Sequence, residues 1–481
     1  MTPPHDVIVV GAGPAGEVVA GRLAARGHAV AIIEQDLVGG ECSFYACMPS
    51  KALLRPAQAL AEARRIPGAA EAVTGDLDAG AVLARRDEVV HGLDDSAQLP
   101  WLQSNGVTLV RGAGRLDGER RVRVGDELHE ARLAVVLAVG SRAALPPIPG
   151  LADARPWTNR EVTTADRVPG RLIVLGGGVV GVEMADAYAS LGASVVVIEA
   201  QARLVGHEES FVSDQLREAL VARGIDVRVG VRAEAVARRA DGIEVTLSDG
   251  PGVRGDELLV AVGRRPRTDE LGLETVGLKP GGYVEVDDQL RVPGRPWLYA
   301  IGDVNGRALL THAGKYQAHV VSEAIDGRPA RLGAGAGSPA AGVTNGSLLA
   351  TRGAGTPRVI FTELQVAAVG MTLQAALDAG IEARAYDVPT SATAGASFHG
   401  RDTPGSSRIV VDERRGVLVG ATFAGFEVAE WLQAATIALA GEVPVVRLWD
   451  TIAPFPTRSE VWLRLLEERE AQLASGVTAA G

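Results

Sequence analysis

The sequence predicts an α/β fold: two βαβ units built on parallel strands, then a C-terminal α+β segment. Three observations predict it. DVIVVGAGPAG near the N-terminus and RLIVLGGGVVG from Arg171 each run an apolar strand into a glycine turn and a helical pattern. Short apolar strands ending in glycine recur after each unit. Beyond residue 350, strands and helices mix with no such glycine turn. At roughly 100–200 residues per domain, 481 residues suggest about three domains. With 47% hydrophobic and 22% charged residues the chain can bury a sizeable core. The 59 glycines follow no G-x-y period and read as tight turns and close backbone approaches.

The first unit places a strand at Val7–Val10, a glycine turn with Gly11, Gly13 and Gly16, a helix, and a second strand, Ala29–Ile33, ending at Glu34. In G-x-G-x-x-G the first glycine makes the turn. The second lets the backbone approach a pyrophosphate, and the third lets helix and strand pack closely. The helix start turns its partial positive charge toward the phosphates, and an acid at the next strand end accepts hydrogen bonds from a ribose. The second unit repeats this with Gly176, Gly178 and Gly181, and Glu199 stands where Glu34 stood. Two dinucleotides per chain are therefore expected. Glu199 favours a free 2′-hydroxyl over a 2′-phosphate, so NADH is expected ahead of NADPH, with Arg203 nearby to soften the choice. LAVVLAVG ending at Gly140, LLVAVG ending at Gly263, and LYAIGDVNG with Gly302 and Asp303 supply further strand ends.

The stretch from Arg328 to Ser347 is small, polar and rich in Gly and Pro, and reads as a flexible linker or surface insertion. After it, strands are expected at Val359–Thr362, Ile381–Tyr386, Arg408–Val411 and Val417–Phe423. Helices are expected at Leu373–Ala379, Glu427–Ala440 and Ser459–Leu473.

Composition excludes several function classes. A net charge of −11 does not suit a nucleic-acid binder. No apolar run reaches the 18 or so residues of a membrane helix, and no basic leader precedes the first strand. A cytoplasmic protein without membrane partners is expected, where structural disulfides are rare. The two cysteines, Cys42 and Cys47, then stand out. They are too few for a disulfide scaffold or a closed zinc site, and no metal set is read elsewhere. They read as a local redox pair, with inert buried thiols as the alternative. A regular helix rises about 7.5 Å over five residues. A disulfide wants Cα atoms within about 6.8 Å. Bonding therefore requires the helix to be distorted. The first cysteine is expected near a helix N-terminus, which favours a thiolate.

GGECSFYACMPSK resembles the redox-disulfide motif of the flavoprotein pyridine nucleotide-disulfide oxidoreductases, the family of dihydrolipoamide dehydrogenase, glutathione reductase and mercuric reductase. The resemblance spans nearly the whole chain in order. It runs from the turn at Gly11 through the cysteine pair, LAVG, the turn at Gly176, AVGRRP and AIGD to FTEL, ATFAG and PTRSE. It implies two Rossmann-like dinucleotide-binding domains plus a C-terminal α+β dimerisation domain. The divisions are an FAD-binding domain over 1–155 and 278–328, an NAD(P)-binding domain over 156–277, a linker over 329–350 and the dimerisation domain over 351–481. FAD and NAD(P)H are the implied cofactors, and a homodimer with a shared active site is the implied assembly. Cys47 resembles the flavin-facing thiol and Cys42 the interchange thiol. Lys51 and Glu183 match the ion pair beside the flavin, and Asp303 matches the acid that holds its ribityl chain.

One position departs. The disulfide reductases end in His-Pro-Thr-x-x-Glu, and this chain has Phe455-Pro456-Thr457-Arg458-Ser459-Glu460. The proton-carrying imidazole is a phenyl ring, while its carboxylate partner Glu460 remains. His399 is the one histidine of the C-terminal domain; a solvated loop is its expected setting, with a substitute base as the alternative. Mercuric reductase also lacks the histidine but adds a C-terminal cysteine pair, absent after Cys47. The expected activity is transfer of hydride electrons through flavin to the Cys42–Cys47 disulfide and on to a disulfide substrate, or the reverse. The alternatives are a reductase of quinones working directly from the flavin, and a low-turnover redox-sensing flavoprotein.

Overall fold

The computed structural model describes residues 5–327, 355–400 and 403–476. The linker expected at 329–350 lies outside the described residues. The chain forms two compact units.

The first unit takes the described residues of Met1–Pro49, Arg86–Ala144 and Gly263–Gly353. Its seven-stranded sheet runs Thr108–Arg111, Val30–Glu34, His5–Val10, Glu127–Leu137, Arg121–Val124, Gly114–Leu116, with Leu298–Ala300 also beside Glu127–Leu137. The pairs around His5–Val10 are parallel, with Val7 opposite Val30 and Ala134. Val7, Ile8 and Val9 are all fully buried, so both sheet faces are covered. That is why this strand reads as a continuous apolar run rather than an alternating one. Pro14–Ala24 opens with a proline in its first turn, where the missing N–H costs nothing. Helix Thr311–Ile325 packs on it through Gly314, where an added Cβ would come within 3.1 Å of the Ala15 Cβ.

The second unit takes Ser50–Arg85, Leu145–Val262 and the described residues of Ala354–Gly481. A parallel four-stranded sheet runs Asp226–Val229, Ser194–Glu199, Arg171–Leu175, Glu257–Val260. A three-stranded antiparallel sheet follows from Ala233–Arg239, Gly242–Leu247 and Gly250–Gly255. The C-terminal part is a five-stranded antiparallel sheet, Arg358–Ile360, Gln365–Gly370, Val417–Gly425, Ser406–Asp412, Ala383–Pro389. Helices Leu432–Ala440 and Val461–Ser475 pack against it.

This division differs from the expected one in joining Ser50–Arg85 to the second βαβ unit and the C-terminal sheet. The reason is burial. Leu53, Leu54, Val82 and Leu83 share one core with Val182, Met184, Ile360 and Val366. Arg358 also grips Glu208 with two nitrogens, at 2.6 and 2.9 Å, and Arg408 reaches Glu209 at 2.9 Å. These charge-assisted bonds, forked at Arg358, tie the approach to helix Ser210–Ala222 to the five-stranded sheet.

Candidate active site

The two glycine turns have nearly the same geometry. Gly11 has φ +104°, and a Cβ there would lie 2.4 Å from the Ala138 carbonyl oxygen; Gly176 has φ +110° and the same 2.4 Å approach to Ala261. Only glycine fits such a position. A Cβ at Gly16 or Gly181 would fall 1.9 Å from the carbonyl oxygen of Gly11 or Gly176, so the helix packs tightly on its own turn. At Gly13 and Gly178 nothing lies within 4 Å of an added Cβ. The open face at the middle glycine, ahead of a helix start, suits a pyrophosphate. Glu34 accepts from Ala12 N at 2.7 Å and Asp36 N at 2.8 Å. Glu199 accepts from Gly177 N at 2.5 Å and Gln201 N at 2.6 Å. Arg203 donates to the Gly206 carbonyl.

Cys42 and Cys47 form a disulfide with Cα atoms 4.7 Å apart. The chain reaches this separation by breaking the helix. Gly40–Phe44 is one short helix, and Cys47–Arg65 begins another. Cys42 is the third residue of the short helix, while Cys47 opens the long one, so the stronger N-terminal position falls to the second cysteine. Gly40, at φ +59°, brings this segment against the first turn, where its Cβ would lie 2.8 Å from Gly13 Cα.

Lys51 stands one helical turn beyond Cys47. Its Nζ donates to Glu183 Oε2 at 2.8 Å and lies 4.7 Å from the Phe361 ring centroid. Glu183 is buried and also accepts from Phe361 N at 2.9 Å.

Gly140, Gly263 and Gly302 all hold positive φ at strand ends. Asp303 lies in the turn Gly302–Asn305 and accepts from the Ser141 hydroxyl, to which Arg264 Nε donates at 2.6 Å. Burial pushes the Asp303 carboxyl above its usual range, and Glu41 adds to this; the Ser141 hydrogen bond and Arg264 oppose it. Arg267 reaches Glu41 at 2.9 Å, directly before Cys42. Ser141, Arg264, Arg267, Glu41 and Thr311 are the residues the sequence reading missed. Thr311 Oγ1 is 3.4 Å from Cys47 Sγ. Apart from the repeated Arg in AVGRRP, none carries a local signal.

In the C-terminal segment, Phe455 is 76% exposed, whereas Glu460 is 8% exposed and its Oε2 has no hydrogen-bond partner among the described residues. His399 is not in a solvated loop. It ends the short helix Ala394–His399, with Nδ1 at 3.4 Å from Glu62 and 3.9 Å from Glu427. Two carboxylates therefore flank its Nδ1.

The residues fit a flavin dinucleotide at the first turn: an open glycine face, a helix start, an acid at the strand end, and a half-buried acid with a hydroxyl partner at Asp303. The pyridine nucleotide-disulphide oxidoreductase family matches residues 5–321, and its dimerisation domain matches residues 356–465. Dihydrolipoyl dehydrogenase from Haloferax volcanii is 31% identical over 97% of this chain and 96% of its own length. That from Thermus scotoductus is 32% identical over 97% of both. Among solved structures, the HOCl-induced flavoprotein disulfide reductase RclA from Escherichia coli covers 96% of this chain and 99% of its own, with TM-score 0.81 and 24% identity. LpdA from Mycobacterium tuberculosis has the same coverage, with TM-score 0.80 and 27% identity. No helix among the described residues is long and apolar enough to cross a membrane. With a redox disulfide set beside a fingerprint for one dinucleotide, and a second fingerprint further along, the chain belongs to the FAD-dependent pyridine nucleotide-disulphide oxidoreductases and carries that family's dimerisation domain.

Proposed function

We propose that the chain is an NADH-using reductase of a small disulfide, working in the cytoplasm as a homodimer in which the partner's C-terminal segment completes each active site. The observation that carries this is the Cys42–Cys47 disulfide at the start of helix Cys47–Arg65, with the Lys51–Glu183 pair one turn on. Bound FAD supplies hydride acceptance from the nicotinamide and passage of two electrons to the protein. The other roles fall to this chain's residues. The first glycine turn and Glu34 hold the dinucleotide, and Asp303, set by Ser141, holds its ribityl chain. Lys51 sets the charge beside the isoalloxazine and is itself fixed by Glu183. Cys47 faces the ring, and Cys42 attacks the substrate disulfide. Steady-state NADH oxidation with a panel of low-molecular-weight disulfides tests the proposal. Turnover of quinones but of no disulfide would overturn it.

Glu199 places a negative charge where a 2′-phosphate would sit. NADH should therefore reduce the flavin at least about tenfold faster than NADPH at subsaturating coenzyme. Stopped-flow reduction with each coenzyme measures the ratio.

Phe455 favours the second reading, a quinone reductase. A phenyl ring cannot carry the proton that thiol exchange moves, and an electron acceptor met directly at the flavin needs no such group. Phe455→His separates the two readings. Glu460 Oε2 has no hydrogen-bond partner among the described residues, so a restored imidazole has a carboxylate available to orient it. General base catalysis is typically worth about 10²–10⁴-fold, and part of that, roughly tenfold in disulfide turnover, is expected here. Flavin reduction by NADH should not change. If no disulfide gains while the unmodified protein reduces quinones briskly, the quinone reading takes first place.

A further inference from the structure

Cys47 stands where two helices begin. It is the first residue of Cys47–Arg65, and its sulfur is 3.4 Å from the hydroxyl of Thr311, the first residue of Thr311–Ile325. Each helix start carries about half a positive charge. No side chain caps the second helix, whose N-cap is Leu310. The surroundings of Cys42 differ. It sits in the short helix Gly40–Phe44, directly after the Glu41 carboxylate.

We propose that Thr311 decides which of the two sulfurs carries the negative charge after reduction, by donating its hydroxyl hydrogen bond to the Cys47 thiolate. The inference rests on the reading of Cys42–Cys47 as the working disulfide. In that step the S–S bond breaks, taking two electrons from the flavin and one proton from solvent. The proton stays on Cys42 as a thiol, and Cys47 is left as a thiolate. A hydroxyl donating to sulfur favours the charged form, as the helix starts do. Thr311 thus makes the disulfide easier to reduce, and it keeps the charge on Cys47 until Cys42 has met a substrate.

The test uses the FAD-loaded protein carrying Cys42→Ser, in which Cys47 is a free thiol. Alkylation of Cys47 by iodoacetamide, and the long-wavelength absorbance of a thiolate against oxidised flavin, are followed across pH. Adding Thr311→Val should raise the midpoint of both by about one pH unit, the size expected for losing one hydrogen bond to a charged group. Thr311→Ser should restore it. With both cysteines present, Thr311→Val should shift the dithiol–disulfide equilibrium about tenfold toward disulfide, or about 30 mV more negative. Should the valine variant fail to hold FAD, Thr311→Ala removes the same hydroxyl without adding bulk. Equal midpoints for Thr, Ser and the variant lacking the hydroxyl would overturn the role of Thr311. A Cys42→Ser protein in which Cys47 gives no thiolate signal at any pH would overturn the reading of the pair itself, and the two failures are told apart by that control.

Discussion

Cys42→Ser should abolish turnover of every disulfide, a loss of about 10³-fold or more, while NADH still reduces the flavin at its normal rate. The attacking sulfur is gone, and the one other cysteine of the sequence, Cys47, is the sulfur assigned to the flavin rather than to substrate. Loss of a covalent nucleophile has effects of this size or larger. The rate of flavin reduction is set upstream, at the second glycine turn and the flavin, and neither is touched. Cys47→Ser should lose disulfide turnover equally but differ in colour. Cys42→Ser keeps a long-wavelength band from Cys47 thiolate against oxidised flavin, and Cys47→Ser has none. Stopped-flow spectra of the two variants decide it. A band in Cys47→Ser and none in Cys42→Ser would exchange the roles of the two sulfurs.

Glu183→Ala should lower the stability of the FAD-loaded protein by about 3 kcal/mol. Glu183 is 3% exposed and holds two donors, the Lys51 ammonium and the Phe361 backbone N–H. Removing it leaves both without that acceptor. Breaking a buried pair from one side typically costs about 3–5 kcal/mol. Because the Lys51 side chain is 35% exposed, water recovers part of that, which puts the loss at the low end. Glu183→Gln separates structure from charge. Its amide oxygen can still accept from Phe361 N–H, so thermal unfolding should move much less. The charge that fixes Lys51 is lost, so flavin reduction by NADH should still slow. An alanine variant that melts with the unmodified protein would show that the pair carries no structural burden.

Much of the architecture was legible because the motifs are local. G-x-G-x-x-G between a strand and a helix has to satisfy a turn, a phosphate and a close helix packing within six residues. Both instances fold with the same would-be clashes at Gly11 and Gly176. The C-terminal strands Ala383–Pro389, Ser406–Asp412 and Val417–Gly425 were also found near their observed limits. Other elements escaped. Ala233–Arg239 reads AEAVARR, whose one fully buried apolar residue, Val236, gives no period to follow. Gln365–Gly370 is buried at every position, and a short continuous apolar run does not distinguish strand from helix. In the active site, Cys42 and Cys47 announce themselves. Glu41 and Arg267 meet across 226 residues, and Thr311 meets Cys47 across 264. A threonine at a helix start looks like an ordinary end residue until the fold brings a sulfur to it.

The carboxylates at the two strand ends have a consequence for redesign. Glu199, proposed above to face the coenzyme, accepts the backbone N–H groups of Gly177 and Gln201, so it is also part of the turn itself. A carboxylate has about four acceptor positions, enough for both duties at once. Replacing Glu199 with a neutral or basic side chain to admit NADPH would also remove the acceptor that sets the turn. Affinity for either coenzyme would then fall before any preference changed. A productive exchange of coenzyme would leave Glu199 in place and add positive charge around it, alongside Arg203, one nitrogen of which donates to the Gly206 carbonyl.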